Sequence, residues 1–270
     1  MSQDAVIENN CYQPVSSSFR ILGTRVDALT MSAAIEVLEQ SIAEGRRGLF
    51  VALTNVNNVM EAKRDPQFRK VMDAVDLSLP DGMPLAWLSR IYGFGKANRI
   101  AGPDFVPAFC VATHNRGYRH FFYGGSEGVA EKMAQRLKQQ APGMEIAGAY
   151  SPPFRPLTSE EDDQIVEMIN RTAPDVVWVG LGCPKQENWI FEHRHRIKAC
   201  ALLGVGQAFD IQAGTLRRAP MWMRRWGLEW LFRLCSEPRR LWRRYLVSNT
   251  QFLFYAALQL CGISIQEQSS

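Results

Sequence analysis

The second half of the chain alternates short apolar runs with amphipathic segments, and this alternation constrains the fold more than any other feature. Amphipathic segments of about 15 residues separate the runs, and one of them opens on the capping box Thr158 with Glu161. Buried strands that alternate with helices of this length are typical of βαβ units. The sequence therefore predicts an α/β fold, a Rossmann-like, mostly parallel sheet flanked by helices. The predicted strands lie at 119–125, 144–150, 175–182 and 199–206, and the predicted helices at 126–140, 158–172 and 184–197.

The first part of the chain adds further elements of the same kind after a polar leader at residues 1–17. Gly23 interrupts a β-rich stretch and predicts a hairpin. Pro103 is suited to the first turn of a helix. The predicted elements are a hairpin at 19–29, a helix at 31–45, a strand at 48–54, one or two helices at 57–74, a short strand that ends at Pro80 and leads into a helix, and a helix at 102–117.

Composition excludes several classes of protein. Hydrophobic residues make up 46% of the chain and charged residues 21%, which is ordinary for a globular protein and argues against disorder. The six cysteines form no CxxC pair, which favours free thiols in a reducing compartment. His193 and His195 stand two residues apart and cannot share a helix face, so no metal site is predicted. The polar N-terminus does not resemble a signal peptide, and a cytoplasmic protein is expected.

The charge is concentrated near the C-terminus. Residues 217–244 hold nine arginines against two glutamates, together with four of the seven tryptophans. This shift in composition predicts two regions, an α/β domain at 19–216 and a basic helical appendage at 217–262. Tryptophans recur every four residues within the appendage, which predicts one helical stripe, formed by Trp222, Trp226 and Trp230.

Three interpretations of this appendage remain open. The tryptophans could pack against the α/β domain, they could stack on nucleic-acid bases beside arginine–phosphate contacts, or the segment could lie on an anionic membrane. The apolar run at 252–263 is shorter than the roughly 18 residues that a spanning helix needs. Membrane docking without a membrane-spanning segment is the favoured interpretation, and no nucleic-acid partner is expected.

Polar residues and glycines follow several of the predicted strands. Parallel sheets bind ligands beyond the carboxyl ends of their strands, and glycine-rich turns can present backbone N–H groups to phosphate. Each signal also has a structural interpretation: Asp81 could form a turn or a helix cap, and the glycines could serve turn geometry alone. The candidates at these strand ends are Thr54, Asn55, Asp81, Gly124, Gly125, Gln186, Gly206 and Asp210.

Several motifs in collinear order carry a family resemblance. They are TNVNN, LPDG, NRIAGPD, FFYGG, GLGCPKQE, and RAP followed by GLEW and EPRRLWRRY. Together they resemble the WecG/TagA/CpsF family of bacterial glycosyltransferases over roughly residues 20–247. The resemblance implies an inverting enzyme that moves a sugar from a UDP-sugar to a polyprenyl-diphosphate-linked acceptor, without a metal or other cofactor, in the synthesis of surface polysaccharides.

The resemblance also assigns roles to individual residues. It implies that Asp81 is the catalytic base, that Arg99 contacts a diphosphate, and that Asn55 and Gln186 line the substrate pocket. At Asn55 the family often has the pattern T-x-N, whereas here Leu53 stands in the threonine position with Thr54 beside it. For Arg99 the alternative is a surface ion pair with Asp104. Arginines at the start of the appendage are expected to grip the acceptor, and the candidates are Arg217 and Arg218.

The expected location follows from the expected acceptor. A polyprenyl-diphosphate sugar presents its reactive end at the bilayer surface, so the chain is expected to be peripheral on the inner face of the bacterial cytoplasmic membrane. The donor sugar stays open among N-acetylmannosamine, its uronic acid and glucose, and a homo-oligomer is possible. The alternative function is a catalytically inactive nucleotide-binding regulatory or scaffold protein with the same fold.

Overall fold

The computed structural model describes residues 17–95 and 97–263, and within them the chain forms a parallel sheet of six strands and a separate two-stranded hairpin. The hairpin consists of β1 (Ser18–Ile21) and β2 (Thr24–Asp27), which pair antiparallel. The sheet consists of β3 (Leu49–Thr54), β4 (Leu77–Pro80), β5 (Arg119–Gly124), β6 (Glu145–Tyr150), β7 (Val176–Gly180) and β8 (Ala201–Gly204). The predicted α/β class is confirmed. Most of the predicted leader lies outside the described residues.

The helices before residue 217 follow the predicted order. Residues 57–74, for which one or two helices were predicted, contain two, because Asp65 ends α2 and its side chain caps α3 by accepting a hydrogen bond from the Gln67 N–H at 2.8 Å. The predicted capping box of Thr158 and Glu161 is present at the start of α7. These helices are α1 (Met31–Ala43), α2 (Val56–Arg64), α3 (Pro66–Asp73), α4 (Met83–Ile91), α5 (Gly102–Thr113), α6 (Val129–Gln140), α7 (Ser159–Arg171), α8 (Lys185–His193) and α9 (Ala208–Ala213).

The strand order β4-β3-β8-β7-β5-β6 places a crevice between β3 and β8. Alternate residues of each strand point to opposite faces, so Val51 of β3 joins the core under α1, α5, α6 and α9, while Phe50 joins the core under α3, α7 and α8. The helix that follows β8 and the pair of helices that follows β3 therefore cover opposite faces. Such a switch point at the carboxyl ends of the strands is where open α/β sheets bind ligands.

The C-terminal segment, residues 217–263, forms short helices and one longer one. They are α10 (Met221–Arg225), α11 (Glu229–Ser236), α12 (Pro238–Trp242), a π-helical stretch (Arg243–Ser248) and α13 (Asn249–Leu260). No helix in the described part of the chain combines the length and the apolar content that crossing a membrane requires.

The predicted stripe of three tryptophans on one helix is wrong. The chain leaves the helical path between Trp226 and Leu228, and Gly227 there has φ +71°, a conformation that favours glycine. A methyl group on Gly227 would also lie 3.1 Å from the Met83 side chain, so the close approach of α4 reinforces the need for glycine. Trp222 and Trp226 remain mostly exposed on one side of the break.

A third apolar cluster joins the C-terminal segment to the rest of the chain. Phe252 and Ala256 of α13 are buried together with residues of the β1–β2 hairpin, α2 and α4. Hydrogen bonds reinforce the contact, because Gln259 accepts from the Leu22 N–H at 2.8 Å and donates to the Arg20 carbonyl at 2.9 Å. The end of the C-terminal segment is thus packed on the α/β core.

Candidate active site

A cavity of about 880 Å³ lies at the carboxyl ends of the parallel strands. One wall consists of residues that follow the strands, and the other consists of residues from the C-terminal segment. The predicted candidates that line this cavity are Asn55, Asp81, Arg99, Gly125, Gln186, Gly206 and Asp210. The structure therefore brings most of the sequence-predicted residues to one place.

Asp81 is held rigidly at the rim of the sheet. Its N–H donates to the Thr54 carbonyl at 2.7 Å, and the carbonyl of the preceding residue, Pro80, accepts from the Ile100 N–H at 2.8 Å. Gly82 follows with φ +123° and starts α4. The backbone around Asp81 is thus fixed by neighbours on both sides, while its side chain lines the cavity and remains 26% exposed.

The surroundings of Asp81 raise its pKa to about 6. Burial is the main cause, since it disfavours the charged carboxylate. The Arg99 guanidinium opposes this by lowering the pKa, the Glu229 carboxylate raises it, and Arg233 and Arg218 lower it by smaller amounts. A carboxylate with a pKa near neutrality is suited to general-base chemistry.

A chain of ion pairs crosses the cavity from Asp81 to the C-terminal segment. Arg99 Nε lies 3.9 Å from Asp81 Oδ1, and Arg99 Nη2 donates to Glu229 Oε2 at 2.5 Å. Arg218 Nε is 3.5 Å from the second Glu229 oxygen, and both terminal nitrogens of Arg218 donate to Asp104 at 2.6 Å. The alternative pairing of Arg99 with Asp104 is therefore wrong, because Arg218 takes that place.

The residues after β3 differ in their exposure to the cavity. Asn55 lines it and caps α2, since its side-chain oxygen accepts from the Asn57 N–H at 2.9 Å. Leu53 also lines the cavity. Thr54, in contrast, is fully buried, and its hydroxyl is 2.7 Å from the Ser78 hydroxyl inside the sheet. The structure does not bring the Thr54 hydroxyl into the site.

Gln186 is buried beneath the cavity floor and organises the loop before it. Its oxygen accepts from the Gly182 N–H at 3.1 Å, and its nitrogen donates to Glu187 Oε1 at 2.9 Å. Methyl groups added at Gly204 or Gly206 would lie 3.0 Å and 3.2 Å from the Gln186 amide. The glycine at position 206 therefore makes room for this side chain as well as lining the cavity.

The glycine turn after β5 has a structural use that the sequence did not reveal. A methyl group on Gly124 would lie 2.6 Å from the Gly180 backbone, so glycine permits the close approach of β5 and β7. The Gly125 N–H, predicted to face a phosphate, instead donates to the Gly180 carbonyl at 3.0 Å. Gly125 and Ser126 line the cavity, whereas Gly124 does not.

The remaining predicted residues lie at the margin. Asp210 lines the cavity from the first turn of α9. Arg217 is exposed and does not line the cavity. Arg218 lies on the far side of Glu229 from the cavity, where its guanidinium donates two hydrogen bonds to Asp104. Within residues 17–95 and 97–263, His, Cys, Asp and Glu side chains form no group of three or more that could hold a metal ion.

Sequence reasoning missed most of the wall that the C-terminal segment supplies. It treated the basic residues there as a membrane or acceptor surface, and it did not single out a carboxylate among them. The motifs GLEW and EPRR were the available signal, because several of the missed residues lie in or near them. These residues are Glu229, Trp230, Arg233, Arg240, Tyr245 and Asn249.

Comparison with known proteins shows which family the chain resembles over most of its length. The glycosyl transferase WecG/TagA/CpsF family matches residues 19–265. A protein of Bacillus spizizenii is 32% identical over 216 residues, which cover 80% of this chain and 82% of the relative. A protein of Bacillus subtilis is 30% identical over the same shares of each chain. One from Staphylococcus aureus is 26% identical over 83% of this chain and 86% of its own.

All three relatives bear the name N-acetylglucosaminyldiphosphoundecaprenol N-acetyl-beta-D-mannosaminyltransferase. The family match covers most of the chain, from the β1–β2 hairpin through α13, and it includes both walls of the cavity. This chain therefore belongs to the WecG/TagA/CpsF family of glycosyl transferases.

Proposed function

We propose that this chain is an inverting glycosyltransferase that moves N-acetylmannosamine from its UDP-sugar to a polyprenyl-diphosphate-linked N-acetylglucosamine. The acceptor and the transferred sugar are those in the names of the relatives. The single observation that carries the proposal is the Asp81 carboxylate, rigidly mounted on the cavity wall with a pKa of about 6.

In the proposed mechanism Asp81 acts as the general base. It accepts the proton of an acceptor hydroxyl while that oxygen attacks the anomeric carbon of the donor, and the bond from this carbon to the UDP oxygen breaks with its electrons on UDP. A single displacement on an α-linked UDP-sugar yields a β-linked product. This outcome agrees with the β configuration in the names of the relatives.

Arginines supply the positive charge that the diphosphate needs. Arg99 and Arg233 line the cavity, and the Nε–H of each is buried without a hydrogen-bond acceptor in the described part of the chain. Such N–H groups favour an anionic ligand, because phosphate oxygens can accept these bonds. Together with Arg240 they would stabilise the leaving UDP or the acceptor diphosphate, which supports a metal-independent reaction.

We also propose that the basic appendage, residues 217–262, docks on the inner face of the cytoplasmic membrane. Eleven of the seventeen large hydrophobic side chains that are exposed in the described residues lie between Met221 and Ile263. Exposed tryptophans beside arginines suit an anionic bilayer surface, where each basic residue contributes about 1 kcal/mol. Docking would place the cavity close to a lipid-linked acceptor.

Substitution of Asp81 distinguishes the proposed transferase from the competing function, a nucleotide-binding protein without turnover. Purified protein would be given a panel of UDP-sugars with and without a short-chain polyprenyl-diphosphate N-acetylglucosamine, and UDP release would be measured. We expect release that depends on the acceptor, and a loss of about 10²–10⁴-fold in kcat for Asp81→Asn with UDP binding retained. Absence of acceptor-dependent release for every donor would contradict the proposed function.

A further inference from the structure

The Arg99 guanidinium lies between two carboxylates and contacts them unequally. Its Nη2 is 2.5 Å from Glu229 Oε2, a short charge-assisted hydrogen bond, whereas its Nε is 3.9 Å from Asp81 Oδ1, beyond hydrogen-bond distance. All three side chains are largely shielded from solvent. Among the described residues, Arg99 is therefore close enough to Asp81 for an ion pair but forms no hydrogen bond with its carboxylate.

Glu229 is itself fixed from behind. It is the first residue of α11, and its second oxygen is 3.5 Å from Arg218 Nε. Arg218 in turn holds Asp104 through two hydrogen bonds of 2.6 Å. The position of the Glu229 carboxylate therefore depends on an ion-pair chain that ends on α5, and not on Arg99 alone.

A guanidinium beside a lone carboxylate normally forms a close, often bidentate, pair with it. If Arg99 paired in this way with Asp81, it would occupy the oxygens that must accept a proton and would lower the pKa of that carboxyl. Both effects would weaken Asp81 as a base. Glu229 offers Arg99 a competing partner on the opposite side.

We propose that Glu229 is a positioning residue that holds the Arg99 guanidinium off Asp81 and so keeps the Asp81 carboxylate available to accept the acceptor's proton. This inference rests on the proposed function, in which Asp81 is the base. Glu229 need not touch the reacting atoms, because it acts through Arg99. Its negative charge also raises the pKa of Asp81 directly, in the same direction.

The decisive measurement is the pH titration of the Asp81 carboxyl in the ligand-free protein, monitored by carbon-13 NMR. The Asp81→Asn variant assigns the signal. The charged groups that face Asp81 are Arg99, Glu229, Arg233 and Arg218. We expect a midpoint near pH 6 in the unsubstituted protein and a midpoint lower by about one pH unit or more in Glu229→Gln. An unchanged or higher midpoint in folded Glu229→Gln would overturn the inference.

A second readout uses turnover. In Glu229→Gln the acid limb of the pH profile of kcat/KM should move down with the Asp81 midpoint, and kcat should fall by about tenfold near pH 7.5. A purely structural role for Glu229 would lower kcat without moving the limb, and that result would contradict the inference. If the unsubstituted protein shows no acceptor-dependent UDP release, the proposed function fails, while the NMR titration still tests whether Glu229 restrains Arg99.

Two further variants guard the test. Glu237→Gln removes the same charge from the same segment, but Glu237 pairs with the exposed Arg240 at 2.6 Å, so the Asp81 midpoint should stay within about 0.3 pH unit. An equal shift in this control would contradict a specific role for Glu229. If Glu229→Gln does not fold, Glu229→Asp replaces it: the carboxylate recedes by one methylene, and a smaller downward shift is expected. No shift in that variant would likewise overturn the inference.

Discussion

The two walls of the cavity are built in opposite ways. The wall at the sheet edge presents Asp81 and Asn55 on backbone that neighbouring strands and a helix cap hold in place. The facing wall comes mainly from α11 and α12, helices of eight and five residues, and it contributes Glu229, Trp230 and the arginines Arg233 and Arg240. The comparison shows that the sheet edge fixes the position of the proposed base, while the positive charge proposed to bind a diphosphate comes from a segment that ion pairs and the packing of α13 attach to the core.

We call the wall at the sheet edge the first wall and the wall from the C-terminal segment the second wall. The largest expected effect tests whether the C-terminal segment and the α/β core unfold together. Phe252 of α13 is 2% exposed in the shared apolar cluster, so Phe252→Ala should lower the free energy of unfolding by about 3–5 kcal/mol. Urea unfolding, followed by circular dichroism and by tryptophan fluorescence, measures this loss.

Phe254→Ala is the matched control on the same helix, since Phe254 is 61% exposed, and its effect should stay within about 0.5 kcal/mol. One cooperative transition that moves as a whole would support a single unit. Two separate transitions, of which Phe252→Ala shifts only one, would favour the predicted division of the chain at residues 216 and 217 into independent domains.

The next prediction concerns the loss of folding stability that the Asp81 carboxylate causes in the first wall. Because the pKa of Asp81 is raised above its ordinary value, the ionised carboxylate destabilises the folded state at neutral pH. Asp81→Asn removes this cost and should raise the free energy of unfolding at pH 8 by about 1–3 kcal/mol. The gain should shrink as the pH falls from about 6 towards 4, because Asp81 takes up a proton in the folded state while it is still largely ionised in the unfolded state, whose pKa is the ordinary one.

Urea unfolding at several pH values between 4 and 8 measures the difference. Asp73→Asn is the control, because Asp73 is exposed and forms a 3.5 Å surface pair with Arg20, which contributes at most about 1 kcal/mol. A stability gain for Asp81→Asn that does not depend on pH would show that the raised pKa is not its cause.

The contrast between the two walls also explains which parts of the fold and of the site the sequence could predict. Strands, helices and the place of Asp81 follow from local periodicity and from a proline and a glycine beside the acid, so they were predictable. The orientation of the Thr54 hydroxyl and the partner of the Gly125 N–H depend on which strands become neighbours. Sequence spacing does not contain that information.

Prediction was least complete for the C-terminal segment. The four-residue spacing of Trp222, Trp226 and Trp230 indicated one helix, but the packing of Gly227 against α4 overrides the local pattern. Glu229 was missed because its meaning comes from Arg99, which is 130 residues away in the chain. Pairings at such separations are set by the tertiary fold.

The smallest expected effect concerns the exposed surface of the C-terminal segment. Trp222 lies on α10 and Trp226 directly follows that helix, and their exposed fractions are 59% and 75%. If this surface enters an anionic bilayer, replacing both with alanine should weaken flotation with phosphatidylglycerol-containing liposomes by about tenfold, since each buried indole contributes apolar area at the interface.

Phe191→Ala is the control for flotation, because Phe191 is a partly exposed aromatic residue on α8, in the α/β core. Flotation of Phe191→Ala should equal that of the unsubstituted protein. Added salt should weaken the flotation of both of these proteins, since the arginines act through charge. If the double tryptophan variant floats as well as the unsubstituted protein, the exposed tryptophans do not bind lipid. Membrane docking of the C-terminal segment would then depend on its arginines and not on its exposed tryptophans.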